Sequence, residues 1–525
     1  MLRSRSAWAL RLRAINMITL ATLNARYFHA SLGLRYLLAN MGELEPVTTL
    51  REFIFSERPN DIVESLLREQ PRIIGLGVYI WNISETTQVV ALLKQIRPDI
   101  RIILGGPEVS YETERQDIVS DADYVITGPG DLAFAELCRQ ILDGNAPEQK
   151  IIVAEHPPLQ QLVLPYRHYN DQDIANRIIY VEASRGCPFK CEFCLSSLDK
   201  TAWPFELDAL LDALNTLYQR GVRHFKFVDR TFNLNIKTSL RILDFFLERL
   251  DERLFLHFEI IPDHLPDALK AAIQRFPAGT LQFEIGIQTL NPEVQQLISR
   301  KQDTVKTLDN LQWLRNETGA HLHTDLIFGL PGESVDSFGE GFNRLIKLNP
   351  HEIQVGILKR LRGAPLARHD DAWLMRYSPY PPYSILQTSL VGFDDVQRMT
   401  RYARYWDLIG NSGRFGRGRA LLLGDKPFER FLAFSDWVFQ RTGKTHEISL
   451  SRLYDLAYQW LLQQDEDRHN AYEALAADYH ASGARGLPAF MNDDIPSRFS
   501  TDTEEKTGNR QARRRQSKHG GTAAQ

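Results

Sequence analysis

The chain has 525 residues, of which 43% are hydrophobic, 24% charged and 10% aromatic, and its formal net charge is -4. At about 100–200 residues per domain this is two to four domains with enough apolar side chains for sizeable cores. The charge balance exerts no global pull toward nucleic acid or an anionic membrane, and there is no run of about 18 apolar residues to span a bilayer.

In chain order, residues 1–16 form a basic extension carrying Arg3, Arg5, Arg11 and Arg13 without an acid. Its apolar portion is too short and interrupted for a secretory signal. It reads as sequence upstream of the true start, since Met17 opens the clean strand pattern ITLATLN, although a transit peptide has a similar composition. Residues 17–150 then alternate strand and helix. ITLATLN is followed by SLGLRYLLANM, VTTLREFIF by NDIVESLLREQ, IIGLGVYI by TTQVVALLKQI, and DYVIT by DLAFAELCRQIL, while RIILGG runs into a loop. Five short strands alternating with helices predict a doubly wound parallel sheet covered on both faces. Ligands of such sheets lie beyond the carboxyl ends of the strands. The loops there include YIWN, GGPEVSY and TGPGD, and their glycines let backbone approach a large ligand or simply make tight turns.

A linker over 151–176 leads to a second alternating series over 177–375. Six strand–helix units are too few for the eight-stranded closed barrel and predict an open partial barrel, with its active site at the carboxyl ends of the strands. Residues 376–490 carry helical patterns rich in Trp and Tyr, a helical C-terminal domain. Residues 491–525 read as a solvated disordered tail, basic and acid-free from Lys506 onward; a weak nucleic-acid contact is the sharper alternative.

The chain has four cysteines, and three of them stand in EASRGCPFKCEFC, directly after the first barrel strand. The fourth, Cys138, lies in an amphipathic stretch and reads as a buried thiol. A disulfide framework is therefore not predicted, and a reducing cytoplasm fits. Structural zinc takes four ligands, and no second C-x2-C pair is present. An iron–sulfur cube normally takes four cysteines. With three, one iron keeps an open coordination position, which points to catalysis rather than electron storage.

The spacing of Cys187, Cys191 and Cys194, with the aromatic Phe193 before the last, resembles the signature of the radical S-adenosylmethionine (SAM) superfamily. The resemblance implies a 4Fe–4S cluster whose open iron chelates SAM, and reductive cleavage to a 5′-deoxyadenosyl radical that abstracts hydrogen from substrate. It also implies SAM contacts from Phe193, from Asp229 in FVDRTFN, Glu259 in HFEIIPD, Gln288 in EIGIQTLN, Arg300 after the next helix, and Asp325 in HTDLIFGLPGES. The common glycine-rich form is absent around Val228, Asp229 and Arg230.

The first domain, through LGVYIWN, LGGPEVSY and YVITGPGD, resembles the cobalamin-binding domain of B12-dependent radical SAM proteins. This implies cobalamin contacts from Tyr79, Trp81, Asn82, Gly105, Gly106, Gly128 and Gly130. The usual GEGE pattern is replaced by GPGD, with Pro129 and Asp131 at the acidic positions. No D-x-H-x-x-G occurs, so no histidine ligand to cobalt is predicted; His29 has the wrong spacing. The chain from about 17 to 480, including PPYSILQT and NSGRF, resembles a bacterial family with this architecture and its own helical C-terminal domain.

The expected function is thus SAM-dependent radical chemistry, with methylation of an unactivated carbon or phosphorus leading. Methylcobalamin would supply the methyl group and a second SAM would remake it. A cobalamin-independent rearrangement or cyclisation is the alternative. An electron carrier would need none of the SAM-contacting groups. A methylthiotransferase would carry a different cysteine-bearing N-terminal domain and a small RNA-binding barrel. The expected partners are an unidentified substrate and an electron donor such as a flavodoxin or ferredoxin, with neither a membrane nor nucleic acid.

Overall fold

A computed structural model describes residues 17–492. The readings made above for residues 1–16 and for the tail beyond 492 lie outside the described residues. The chain divides into two compact units. The first holds the residues up to Glu259 together with Lys359–Arg368 and Ser378–Ser384. The second holds Ile260–Leu358, His369–Tyr377 and the chain from Ile385.

The first unit opens with a parallel sheet of strands β1 (Ile18–Asn24), β2 (Thr48–Ile54), β3 (Ile73–Gly77), β4 (Arg101–Gly105), β5 (Tyr124–Thr127) and β6 (Ile151–Val153) in the order β2-β1-β3-β4-β5-β6. Every residue of β1 is buried, Thr19, Thr22 and Asn24 included, as expected of a strand covered on both faces. One hydrophobic cluster packs Ile62, Val89, Val90 and Leu93 against the sheet, and another packs Leu34, Phe134, Leu137 and Cys138. The sequence pattern predicts five strands. The sixth, β6, is a three-residue edge strand with no fully buried position, too short and too exposed to leave a periodic signal.

The following segment is tied down by charge. Asn170 and Asp173 form a reciprocal capping box on the helix Asp171–Asn176. Arg35, 2% exposed, pairs with Glu52 at 2.9 Å and with Asp173 at 2.8 Å, and Arg177 joins Glu52 at 2.7 Å. Each buried charge thus has an opposite partner, without which its desolvation would be prohibitive.

Strand β7 (Ile179–Val181) then leads into an antiparallel pair, β8 (Ser184–Gly186) and β9 (Ala202–Pro204), which brackets the cysteine loop. The helix Leu207–Gln219, strand β10 (His224–Phe227), the helix Ile236–Leu247 and strand β11 (Phe255–Glu259) follow. Strands β7, β10 and β11 lie side by side and parallel. Phe225, Phe227, Phe246 and Phe258 form their fully buried core.

In the second unit, β12 (Leu281–Gln288), β13 (His321–Phe328) and β14 (Glu352–Ile357) are parallel, with His323 opposite Glu352 and Gly286 opposite Asp325. Strand β12 alternates strictly: Leu281, Phe283, Ile285 and Ile287 are buried, whereas Gln282, Glu284, Gly286 and Gln288 line the other face. The six strands of the second series are therefore present, three in each unit. The sequence predicts no strand after about 375; the structure adds the short antiparallel pair β15 (Arg376–Tyr377) and β16 (Ile385–Gln387). Five helices then run from Phe393 to Ser482. Most of their aromatic residues are core: Tyr402, Tyr405, Trp406 and Tyr454 are at most 1% exposed, and the Trp406 indole donates to the Ile353 carbonyl at 2.9 Å. Among the described residues, no helix is long and apolar enough to cross a membrane.

Candidate cofactor-binding site

The cysteine loop leaves β8 through Gly186, whose φ of +85° and close approach to the Thr201 carbonyl, 2.2 Å from where a Cβ would stand, exclude any other residue. Cys191 is buried; Cys187, Phe193 and Cys194 are half-buried. None of the cysteines is in a disulfide. The amide of Cys194 donates to the Cys191 carbonyl at 3.1 Å, and the Ser197 hydroxyl donates to the Cys194 carbonyl at 2.6 Å, so the C-x2-C turn is held by its own backbone. Burial pushes the Cys187 thiol above its ordinary pKa, and the neighbouring Cys194 and Cys191 add to the shift. Among the described residues, no three His, Cys, Asp or Glu side chains converge as on a single metal ion. Three soft thiol donors around one loop, close enough to act on one another, fit an iron–sulfur centre, which would ionise them.

Two carboxylates of the first unit stand at strand ends. Asp229, 2% exposed, accepts from the Ala183 amide at 2.9 Å and the Ser184 hydroxyl at 2.6 Å. Burial pushes its carboxyl up to about 7 against these hydrogen bonds. Its side chain therefore anchors the start of the cysteine loop. Glu259, at the end of β11, accepts from one Arg230 nitrogen at 3.0 and 3.1 Å.

The glycine-rich loops of the first sheet gather around two cavities. One, of 270 Å³, is lined by Tyr79, Gly105, Gly106, Gly128, Gly130 and Leu34, among others. The larger, of 660 Å³, shares Gly106 and Gly128 and is lined also by Leu195, Ser196 and Asp199, after the cysteines, and by the linker residues His156–Gln160. Gly106 has a φ of +110° and stands so close to the Val78 carbonyl that a Cβ would lie 2.4 Å from it. This bare cradle of backbone fits the approach of a large planar ligand such as a corrin.

Two of the predicted cobalamin residues are not among the lining. Asn82 is fully buried, donating to the Leu23 and Gly77 carbonyls at 3.0 and 3.2 Å and accepting from the Tyr79 amide, because the carboxyl ends of β1 and β3 need those partners. Trp81 stacks on Tyr79 at 4.5 Å and is 46% exposed. His29 is pinned to the Tyr180 hydroxyl at 2.5 Å, and burial, then Lys226 and Arg26, hold its imidazole down at about 4.

Arg185 lines both cavities. It donates to Asp131 of GPGD at 2.9 Å and to Glu182 at 2.8 Å, and lies 4.3 Å from the Tyr36 ring. The acid in GPGD is therefore half of an ion pair that ties the sheet's loop to the residue two before Cys187. Sequence reasoning missed it, since an arginine before a cysteine carries no signal of its partner.

In the second unit, Gln288 and Arg300 come together at Gly286, where a Cβ would lie 2.5 Å from the Gln288 amide nitrogen and 3.8 Å from an Arg300 nitrogen. Asp325 lies in a polar network: the His323 imidazole bridges Asp325 at 3.1 Å and Glu352 at 2.8 Å, and His321 reaches Glu352 at 3.1 Å. Burial opposes the charge on His323, but bonds to Asp325 and Glu352 outweigh it and hold the imidazole well above its usual range. Glu333, in GLPGES, is 2% exposed and accepts from the Thr289 hydroxyl at 2.5 Å; its burial raises the carboxyl to about 8. His321, His323 and Glu352 were not legible as a group, since strand register alone brings them together.

Comparison with known proteins accords with this arrangement. The family profile of the B12 binding domain matches residues 18–138, that of the radical SAM superfamily matches 181–345, and that of a protein of unknown function (DUF4080) matches 371–519. An uncharacterized methyltransferase of Pyrococcus horikoshii is 25% identical over 58% of this chain and 70% of its own length. The cobalamin-dependent radical SAM methyltransferase TokK of Streptomyces tokunonensis is 25% identical over 57% of this chain and 48% of its own. Among solved structures, the cobalamin-dependent SAM radical enzyme OxsB aligns with a TM-score of 0.63 at 14% identity, over 98% of this chain and 85% of that one. The radical SAM methyltransferase TsrM from Kitasatospora setae aligns at 0.55 and 16%, over 70% and 80%. At these identities the two structures show the fold: a doubly wound sheet, a partial barrel and, in the described chain, a helical C-terminal region. The chain belongs to the radical SAM superfamily, as a cobalamin-dependent enzyme with an N-terminal B12-binding domain and a C-terminal DUF4080 domain, and its cofactors are a 4Fe–4S cluster, SAM and cobalamin.

Proposed function

We propose that the enzyme methylates an unactivated carbon or phosphorus centre of a substrate held between its sheet loops and its cysteine loop. The observation that carries this reading is the 660 Å³ cavity, whose wall is shared by Gly106, Ser110 and Gly128 on one side and Leu195, Ser196 and Asp199 on the other. Such a chamber gives one substrate access to both loops at once, which methyl transfer coupled to hydrogen abstraction requires. The Pyrococcus relative, an uncharacterized methyltransferase, and the Streptomyces relative, a cobalamin-dependent radical SAM methyltransferase, support it. When bound, cobalamin supplies a methyl-carrying cobalt, and the cluster with SAM supplies the hydrogen-abstracting radical.

The chain's own residues do the rest. Cys187, Cys191 and Cys194 hold the cluster, and Asp229 fixes the backbone from which their loop departs. Arg185 and Asp131 set the wall between the two cavities. Gln288, Arg300 and Asp325 offer the donors and acceptors that would orient SAM. An electron donor of the flavodoxin or ferredoxin type completes the proposal.

The test is anaerobic expression with iron and cobalamin, corrinoid extraction, and incubation with methyl-labelled SAM, a reductant and cell extract. Near-stoichiometric corrinoid, with S-adenosylhomocysteine and 5′-deoxyadenosine formed together and label in a product, is expected. Deoxyadenosine alone, from corrinoid-free protein, would replace methylation with rearrangement or cyclisation.

A further inference from the structure

Residues 359–368 belong to the first unit, although the chain on either side of them belongs to the second. This short segment touches two loops that are far apart in sequence. Arg362, 18% exposed, donates to Glu108 at 2.8 Å, and Glu108 is itself only 4% exposed. Arg360 pairs with Glu112 at 3.0 Å, and Gly363 lies against the ring of Tyr111, so closely that a Cβ would meet it at 2.4 Å. These three partners directly follow the Gly105–Gly106 cradle. Six residues beyond Arg362, Arg368 pairs with Glu192 at 2.5 Å, while the Leu366 amide donates to the Glu192 carbonyl at 3.0 Å. Glu192 stands between Cys191 and Cys194, and its side chain is 4% exposed. The segment is braced from behind: the Arg360 amide donates to the Tyr383 carbonyl at 3.0 Å, and Arg362 donates to the Tyr383 hydroxyl at 3.1 Å.

We infer that residues 359–368 form a strap that fixes the cobalamin-side loop (Gly105–Glu112) and the cluster loop (Cys187–Cys194) to one another, with Arg362 and Arg368 as its positioning residues. The inference rests on the cofactor assignment of those two loops. Its physical content is mechanical: at each end an arginine grips a carboxylate that is only 4% exposed, Arg362 itself 18% exposed and Arg368 60% exposed, and each pair is a directional, charge-assisted clamp; the residues between the clamps span only one or two turns of chain. Loosening one end lets the other shift, so the two loops act as one unit rather than two.

The experiment is hydrogen–deuterium exchange on the full-length protein purified anaerobically, as wild type, Arg362→Gln, Arg368→Gln and Arg368→Lys. Loss of one charge-assisted bond corresponds to about tenfold faster local exchange. The strap predicts this acceleration at both loops in each Gln variant, with Arg368→Lys restoring much of the protection. Acceleration confined to residues 105–112 in Arg362→Gln, and to 187–194 in Arg368→Gln, would mean two independent contacts and overturn the strap. Global acceleration marks an unfolded variant, and Arg368→Lys then decides the question by the same comparison of the two loops. The readout needs no corrinoid, so coupled exchange in protein that binds none would overturn the cobalamin reading and leave the strap standing.

Discussion

The Gln288 amide and the Arg300 guanidinium meet over one glycine. The Gln288 amide nitrogen sits 2.5 Å from where a Cβ on Gly286 would stand, and Arg300 donates to the Gly286 carbonyl. Gln288 reaches this place by adopting a left-handed φ of 69°, at the point where the β12–β13 register shifts. A left-handed residue other than glycine costs about 1–2 kcal/mol and is held only where its surroundings impose it.

That strain gives the first prediction. Gln288→Gly relieves it and raises stability by about 1 kcal/mol in denaturant unfolding. The same change removes a side-chain donor and acceptor from the proposed SAM site, and affinity for SAM falls about tenfold, measured by equilibrium dialysis on cluster-loaded protein. A stability gain with unchanged SAM binding would make the strained glutamine a structural feature alone.

Cys191→Ala removes one of three thiols and leaves too few to hold a cluster. Iron content and the charge-transfer absorbance of the reconstituted protein are lost, and no deoxyadenosine forms under reducing conditions. Retained SAM cleavage in this variant would sink the assignment.

Arg185 answers two carboxylates, Asp131 and Glu182, each 9% exposed. Arg185→Leu leaves both without that cation, a change worth on the order of 3 kcal/mol of stability, seen as a lower midpoint in urea. Because Arg185 lines both cavities, corrinoid retained through gel filtration falls as well. Arg185→Lys keeps the charge but not the fork and lies between the two.

Glu333 sets a pH dependence. Its folded pKa is about 8 through burial, above the ordinary 4.5, so the folded state keeps a proton that the unfolded state gives up. The stability this contributes is fully present below about pH 4.5 and is lost as pH rises through about 8. Glu333→Gln keeps the Thr289 bond without a titrating group. Melting temperatures measured from pH 6 to 9 fall less steeply for Glu333→Gln than for wild type; parallel curves would contradict the buried-acid account.

What the sequence discloses and what it withholds follow a pattern in these residues. The doubly wound sheet was legible because β1 to β5 are short, β-branched-rich segments alternating with helical patterns, and the cysteine loop because local spacing alone defines it. Tyr79, Gly105, Gly106, Gly128 and Gly130, singled out from the same loop motifs, all line the smaller cavity. Asn82 and Trp81, expected as cobalamin contacts, are not among the residues lining either cavity, since a motif position says nothing of which way a side chain turns. The Arg185–Asp131 pair, the His321–Glu352–His323 network and the Arg368–Glu192 clamp stayed hidden because each joins residues whose proximity is created by the fold.

The clamp on Glu192 also bears on the order in which this enzyme can be made. Ribosomes deliver the chain from its N-terminus, so the three cysteines emerge long before Arg368 and Leu366 exist to grip the turn between them. During that interval the loop lacks its later support, and its thiols are open to oxidation or to the wrong metal. Maturation with iron and sulfide therefore suits the finished polypeptide, and a fragment ending before residue 359 would carry the complete cysteine motif without the support that holds it.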